Sequence, residues 1–528
     1  MWQKKKKKEE VIHWADRIAK KIIKEKGDKE RYTLAAGITP SGVVHIGNFR
    51  EVITIELIAR ALKSLGKEVR FIYSWDDYDV FRKVPVNMPK RDELKRYLRQ
   101  PIVDVPDTTG EYSNYAERNE KKMEKDMPLL GIFPEYIYQS KKYRNCDYAE
   151  EIKMAMDKKG MIREHLNKFR KEPLDKDWYP VSVFCEKCNT DATKVKEHNG
   201  YNVTYTCKCG HEDTFDIREK GIIKLLWRVD WPMRWYYEKV DFESGGKDHF
   251  AAGGSFDTCK DIVKFVYNYE PPSAARYEWI KIKGGQQFSS SAGVATTVSD
   301  VMEIYEPEII RWLFAGSRPA TEFSIAFDEE VIKLYEDFDH VERVYYGEDK
   351  VTDKEKKKQS RIYELSVVDK PRHRIPYQPS FRHLTNVVQM YDMNIDKAVA
   401  YYEKDLEDDF DKERLRLRAM CAKNWIEKYA PDNYKFKIQK NIPVDLVIDK
   451  KIKKIFSKLA VRLKEKTWSD KDLHGEFYVL CESEGVKHKD FFKAAYKILI
   501  NKEQGPKLAS FILMLGERAI ELFREASR

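Results

Sequence analysis

Three stretches of this sequence combine residue types and spacings that could do chemistry. The first is Thr39-Pro40-Ser41-Gly42-Val43-Val44-His45-Ile46-Gly47-Asn48. Proline and glycine make a turn there, and the apolar run that follows reads as a helix. A parallel strand that ends in such a turn and opens a helix presents backbone N–H groups and a positive dipole end, which together form a phosphate site. His45 and Asn48 lie three apart, so both face the same ligand from the first helical turn. An imidazole and a carboxamide can donate hydrogen bonds to phosphate oxygens as charge develops on them. The second stretch is Cys185-Glu-Lys-Cys188, then eighteen residues, then Cys207-Lys-Cys209-Gly-His211. Two thiol pairs joined by a short, partly β segment make a zinc ribbon, because zinc takes four tetrahedral soft ligands and closed cysteine sites are structural. Five donors compete for four places. Cys185, Cys188 and Cys207 belong to every set, with Cys209 taken as the fourth ligand and His211 as the alternative. The third stretch is the Gly/Ser-rich loop from Gly284 to Gly293, where the hydroxyls of Ser289, Ser290 and Ser291 and the backbone N–H groups could hydrogen-bond a phosphate.

These groups need elements to position them. Ile12, Ala15, Ile18, Ala19, Ile22 and Ile23 recur at helical spacing over residues 10–25. Tyr32 to Ala36 predicts a strand, Phe49 to Leu65 a long helix closed by Gly66, and Val69 to Tyr73 a second strand. Strand, loop, helix and strand in so short a span make a βαβ unit with parallel strands and a right-handed crossover. A second α/β stretch runs from about 240 to 315. Gly245-Gly246-Lys247-Asp248-His249 leads through Gly253-Gly254-Ser255 into a helix reaching about Tyr269, and Tyr277 to Ile282 is another strand. One nucleotide-binding fold is therefore split by an insertion that holds the cysteine cluster. After about residue 320 glycines become sparse, and segments 397–429, 450–466 and 507–526 read as amphipathic helices. The polar stretch from Val351 to Gln359 reads as a surface linker or a helix end.

The bulk properties set the frame. The chain has 528 residues, 42% apolar and 35% charged, which suits several soluble globular domains and excludes a disordered chain. Its net charge of +10 fits a polyanionic partner or a lysine-rich proteome, and the run Lys4 to Lys8 reads as a solvated tail. No apolar run approaches the roughly 18–20 residues of a membrane span, and nothing resembles a secretory leader, so a cytoplasmic protein with no membrane partner is expected. Four of the eight cysteines crowd into residues 185–209, which favours a metal over disulfides.

The sequence resembles the class I aminoacyl-tRNA synthetases, and more narrowly the class I lysyl-tRNA synthetases. The class signature reads His45-Ile46-Gly47-Asn48 here, with asparagine in the last place as is usual for the lysyl family. Further matches are Ser74-Trp75-Asp76-Asp77-Tyr78-Asp79, the stretch Trp227 to Trp235, Gly246-Lys247-Asp248-His249 with Ala251 to Ser255, Tyr277-Glu278-Trp279, and Gly505-Pro506-Lys507-Leu508-Ala509-Ser510-Phe511-Ile512. The resemblance implies a Rossmann-type parallel sheet split by the ribbon-bearing insertion and followed by an all-α C-terminal domain. It implies activation of L-lysine by ATP with Mg2+, then transfer to the 3′ end of tRNA(Lys), in a protein with structural zinc that acts as a monomer. By resemblance, Pro40, Ser41, Gly42, His45, Gly47, Asn48, Gly246, Asp248, Phe288 and Ser289 fall at the ATP site, and His45, Asn48 and Ser289 to Ser291 assist the reaction. Gly37, Thr39, Trp227, His249 and Tyr277 fall where the family holds its amino acid. A lysine ammonium needs an anion and aromatic walls, which Asp76, Asp77, Trp227 and Tyr277 offer, whereas a glutamate site would want arginines.

One departure stands out. The late loop of lysyl enzymes ends in a lysine that neutralises pyrophosphate, and here Phe288-Ser289-Ser290-Ser291-Ala292-Gly293 carries Ala292 at that place. A charge-assisted contact of this kind is worth about 3–4 kcal/mol in the transition state. Slow adenylate formation is expected, with Lys281 and Lys283 as substitutes if the loop folds differently. A tRNA-binding paralogue that does not charge tRNA and a synthetase for another amino acid, such as glutamate, are the alternatives. The domains expected are the first half of the catalytic fold at 1–80, the connective insertion at 81–220 with the ribbon at 185–211, and the second half at 221–315 with the late loop at 284–293. A stem-contact region at 316–350 and an α-helical anticodon-binding domain at 351–528 follow.

Overall fold

A computed structural model describes residues 13–86, 88–283, 296–443 and 446–528. Phe288, Ser289, Ser290, Ser291 and Ala292 of the late loop, and the Lys4–Lys8 run, lie outside the described residues. The chain divides into two compact units. The first takes the described residues up to Val301, Pro307–Ile325 and Gly347–Pro371, and the second takes Met302–Glu306, Ala326–Tyr346 and Arg372–Arg528.

Five strands form the central sheet of the first unit: β1 (Arg31–Ile38), β2 (Glu68–Trp75), β3 (Glu135–Tyr138), β4 (Phe242–Gly246) and β5 (Ser273–Tyr277). Their order is β5-β4-β1-β2-β3, and every pairing is parallel. β1 and β2 pair in register from Arg31 opposite Glu68 to Ile38 opposite Trp75, so their carboxyl ends finish side by side. Four helices carry the site: α1 (Trp14–Lys26), α2 (Ile46–Ser64), α3 (Trp227–Tyr237) and α4 (Ser255–Tyr267). In α2, Ile46, Phe49, Val52, Ile53, Ile55, Leu57, Ile58 and Leu62 are all buried, so this helix is covered on every side, as an apolar helix must be. It packs on β1, β2 and β4 with α1 over it, and Gly66 beyond its end takes the left-handed φ of +76° expected of a closing glycine.

Some expectations shift. α2 starts at Ile46, before Phe49, because His45 caps it. The strand expected over Tyr277–Ile282 is two elements: Tyr277 ends β5, and Ile280–Ile282 leaves the sheet to pair with Phe323–Ile325. The break falls where the Glu278 amide donates to the Pro319 carbonyl at 2.9 Å, outside the main ladder. The stretch read as a surface linker or a helix end is the start of a helix, Asp353–Ser366, whose Thr352 hydroxyl accepts from the Glu355 amide.

Between β3 and β4 the insertion holds the antiparallel strands Thr193–Asn199, Asn202–Cys207 and Glu212–Asp216. The second unit is helical. Its C-terminal bundle of Lys450–Glu465, Asp470–Glu484, His488–Ile500, Leu508–Leu515 and Glu517–Ser527 buries Ile455, Phe456, Phe477, Phe491, Leu499, Phe511 and Phe523. The helix expected over 507–526 is broken at Gly516, where φ is +54°. Further up the unit, Arg414 and Arg418 are buried against Glu306, Asp339 and Glu342.

Candidate functional site

In a doubly wound parallel sheet the side chains at the carboxyl ends of the strands converge at the point where the strand order reverses. Here that edge gathers Gly37 of β1, Asp76 after β2, Gly246 of β4 and Tyr277 of β5. Gly37 has to be glycine: a Cβ there would lie 2.7 Å from the Ser74 carbonyl oxygen on the neighbouring strand. The Gly37 N–H donates to Glu51 Oε1 at 3.2 Å, and the Tyr277 hydroxyl donates to Glu51 Oε2 at 2.9 Å. Glu51 stands one turn beyond Asn48 on α2, and no reading of the sequence singled it out. Desolvation, reinforced by the nearby Glu243 carboxylate, pushes its carboxyl up to about 8. An acid in the second turn of a largely apolar helix was the signal available.

Around Glu51 lies a second layer of charge. Asp76 is buried and paired to Arg234 at 2.6 Å, and burial, opposed by that guanidinium, brings its carboxyl up to about 6. Arg234 also meets Asp230 at 3.3 Å, and Lys224 bridges Asp79 at 2.6 Å and Asp230 at 3.8 Å. The Thr39 hydroxyl donates to Asp79 at 3.0 Å. Glu243 accepts from the Trp235 indole at 2.5 Å. Asp77 is committed differently, accepting from the backbone N–H of Ser140 at 2.7 Å and from its hydroxyl. Glu51, Asp76, Asp79, Asp230 and Glu243 are thus five carboxyl groups near Lys224 and Arg234, and both of these cations are already paired. A cationic ligand, which would draw the raised Glu51 carboxyl into its ionised form, suits such a site.

The aromatic wall comes from α3 and the turn after β4. Trp227 stacks on Trp231 with centroids 5.0 Å apart, and His249 lies 6.3 Å from Trp227 and 5.5 Å from Trp231. Trp227 stays 36% exposed although it opens a helix otherwise largely buried, so its indole is open to a ligand as well as packed on Trp231. The structure brings Gly37, Gly246 and Tyr277 together directly, Trp227 with His249, and Thr39 with Asp79.

The signature loop sits beside this pocket. The His45 N–H donates to Asn48 Oδ1 at 3.2 Å, which commits the amide oxygen and leaves the Asn48 N–H groups as donors. Burial takes the His45 imidazole down to about 4, so it is a neutral hydrogen-bonding group near pH 7. The loop is buttressed from the helix Tyr115–Asp126: Asn119 donates to the Pro40 carbonyl at 3.1 Å and the Tyr115 hydroxyl to the Ser41 carbonyl at 2.9 Å. The Ile46 N–H donates to the Thr296 carbonyl at 2.8 Å, which brings the chain just past the late loop against the start of α2. Asp248 falls in the single 3-10 turn Lys247–Phe250.

The four ribbon sulfurs form a compact group, all within 4.8 Å of one another. Cys185 and Cys209 Sγ are 3.7 Å apart, and Cys188 and Cys207 Sγ are 3.6 Å apart. A tetrahedral zinc with bonds of about 2.3 Å sets its sulfurs roughly 3.8 Å apart, so the four thiols fit that ion. Asn189 and Gly210, both with positive φ, turn the chain back after each cysteine pair. His211 is not part of the group; its ring packs 6.0 Å from Tyr205. The geometry thus favours Cys209 over His211. No helix among the described residues is long and apolar enough to cross a membrane.

Comparison with known proteins gives the family. Residues 12–369 match the family model described as tRNA synthetases class I (K). A lysine–tRNA ligase of Borrelia garinii subsp. bavariensis is 50% identical over 510 residues, covering 96% of this chain and 97% of its own. The corresponding proteins of Treponema pallidum and Pyrococcus horikoshii are 44% and 40% identical, covering 97% and 96% of this chain and 98% of each relative.

Proposed function

Because the chain belongs to the class I lysyl-tRNA synthetase family, we propose that it activates L-lysine with ATP and transfers the lysyl group to the 3′ end of tRNA(Lys). The observation that carries this reading is the pocket built on Glu51: a carboxyl held by Gly37 and Tyr277, in a setting where carboxyl groups outnumber cations, beside the exposed face of Trp227. The Glu51 carboxylate receives the side-chain ammonium of lysine, and Trp227, His249 and Tyr277 enclose its methylenes. Asp76 acts through Arg234 by fixing the field of the pocket, and Asp77 by fixing Ser140. Gly37 and Thr39 bind the amino acid through the end of β1.

ATP lies along Pro40, Ser41, Gly42 and Gly47, with Gly246 and Asp248 toward the ribose and Phe288 and Ser289 from the late loop. His45 and Asn48 hydrogen-bond the phosphates as the lysine carboxylate attacks the α-phosphorus. Ser289, Ser290 and Ser291 add hydroxyl donors, and Mg2+ bound with ATP would supply positive charge to the phosphates. Cys185, Cys188, Cys207 and Cys209 would hold a zinc ion, which would keep the ribbon folded. The all-α C-terminal part reads the anticodon, and the protein acts as a cytoplasmic monomer. ATP–pyrophosphate exchange measured with each amino acid in turn tests the reading. Exchange with lysine alone is expected; exchange with glutamate, or with no amino acid, would overturn it.

A further inference from the structure

The reading above leaves one surface unused at the mouth of the pocket. The helix Lys159–Asn167 of the insertion runs on through a last turn, in which the Phe169 amide donates to the Leu166 carbonyl at 3.1 Å. That turn holds Phe169 over Gly253. Gly253 has a φ of +71°, and a Cβ on it would lie 2.8 Å from Phe169 Cδ1, so the ring rests directly on the backbone of the loop that follows His249. The Gly253 carbonyl accepts from Arg228 at 3.2 Å, and Arg228 follows Trp227 of the amino-acid wall. The ring also packs edge-on against His165, with ring centroids 5.5 Å apart. Despite these contacts Phe169 is 46% exposed, a large ring left in water beside the site.

Its neighbours are cationic. Lys168, Arg170 and Lys171 are all exposed, and residues 163–172 carry four cations (with Arg163) against Glu164 and Glu172. Arg170 donates to the Glu172 carbonyl at 3.1 Å. Lys168 and Lys171 make no ion pair among the described residues. An exposed ring flanked by lysines is the arrangement by which proteins hold single-stranded nucleic acid, the base stacking on the ring and the phosphates meeting the cations. A protein partner would be expected to cover a wider apolar patch than one ring and Met161.

We propose that Phe169 is the stacking platform for an unpaired nucleotide at the 3′ end of the tRNA, with Lys168 and Lys171 on its phosphates, and that it positions the terminal ribose for acyl transfer. This rests on the proposed function, because only a nucleic-acid acceptor needs to reach this pocket. Phe169 is a positioning residue and makes no contact with ATP or lysine. The test uses the full-length protein with Phe169→Ala, Phe169→Leu and Phe169→Trp. In all three, lysine-dependent pyrophosphate exchange should stay within about twofold of wild type. Aminoacylation kcat/KM for tRNA should fall roughly tenfold or more in F169A and F169L and recover in F169W, since leucine restores bulk but not a stacking face. With tRNA lacking its 3′-terminal nucleotides, wild type and F169A should bind alike. The inference is overturned if F169A charges tRNA normally, if F169L behaves as wild type, or if exchange falls in parallel with charging, which would mark Phe169 as a support of the Gly253 loop. Absence of lysine-dependent exchange in wild type would instead count against the proposed function itself.

Discussion

Replacing Glu51 with glutamine tests the amino-acid pocket most directly. The variant keeps the side chain's shape, and its amide oxygen can still accept from the Tyr277 hydroxyl or the Gly37 N–H, which lie 2.9 and 3.2 Å away in the wild type. What it loses is the charge. A carboxyl pushed up to about 8 is roughly three-quarters protonated at pH 7.5, and ionising it for the incoming ammonium costs about 0.7 kcal/mol. Against that, a charge-assisted contact in a desolvated site is worth about 2–4 kcal/mol. The balance is roughly 1.3–3.3 kcal/mol, so E51Q should raise the KM for lysine about 10- to 300-fold with little change in the KM for ATP. The pH dependence carries the same signature. Below about 8 the carboxyl is mostly neutral, so wild-type kcat/KM for lysine should climb as pH rises from 6.5 toward 8 and then level off, whereas E51Q should lack the climb. Stability moves the other way. An unfolded glutamate ionises near 4.5, while the folded one keeps its proton to about 8, so the folded state binds the extra proton in that window and the group's contribution to stability falls as pH rises. E51Q should therefore be more stable than wild type at pH 9, by roughly 1–3 kcal/mol in denaturant titrations. Pyrophosphate exchange against lysine concentration, run across pH, decides the matter. A KM within twofold of wild type, or an unchanged pH climb in E51Q, would refute the argument.

Three further outcomes follow from the same structure. His45→Ala should cut kcat for pyrophosphate exchange by about 10²–10³ without shifting the pH profile between 6 and 8, because the buried imidazole is already neutral there; a mild effect would mean the phosphates lie elsewhere. Cys209→Ser should lose bound zinc and lower the unfolding temperature while His211→Ala keeps one equivalent, as measured by metal analysis and calorimetry; zinc loss in H211A alone would reassign the fourth ligand. Ala292→Lys should speed lysine-dependent exchange by up to about 10²–10³, and an unchanged rate would mean that other cations already serve the pyrophosphate.

The sequence made the catalytic fold legible wherever local chemistry was decisive. The β1–α2–β2 unit could be read from its apolar runs and from Gly66, and the ribbon from its cysteine spacing. β5 was missed because Ser273-Ala274-Ala275-Arg276 has neither branched nor alternating apolar residues; its place in the sheet comes from pairing with β4. The site was half legible for the same reason. His45 and Asn48 act within one helical turn, so spacing revealed them. Glu51 depends on Tyr277, 226 residues away, and the role of Asp76 depends on Arg234, 158 residues away. Spacing also left Cys209 and His211 tied, and only the sulfur–sulfur distances favour Cys209.

The same geometry separates selectivity from rate. Lysine brings two ammonium groups and one carboxylate, glutamate one ammonium and two carboxylates. Glu51, Asp76, Asp79, Asp230 and Glu243 outnumber Lys224 and Arg234, and both cations are already spoken for, Arg234 by Asp76 and Asp230, and Lys224 by Asp79 and Asp230. A second carboxylate would enter next to the buried Glu51 carboxyl with neither of these cations free to receive it, a desolvation penalty that no partner offsets. None of these groups belongs to the late loop. The loss of a cation at Ala292 therefore bears on phosphate charge in the transition state and leaves the choice of amino acid where it was. A chain with this pocket and that loop should be a slow enzyme that is still selective for lysine, and more of the phosphate stabilisation falls to the start of α2, where the His45 backbone N–H holds the Asn48 amide oxygen.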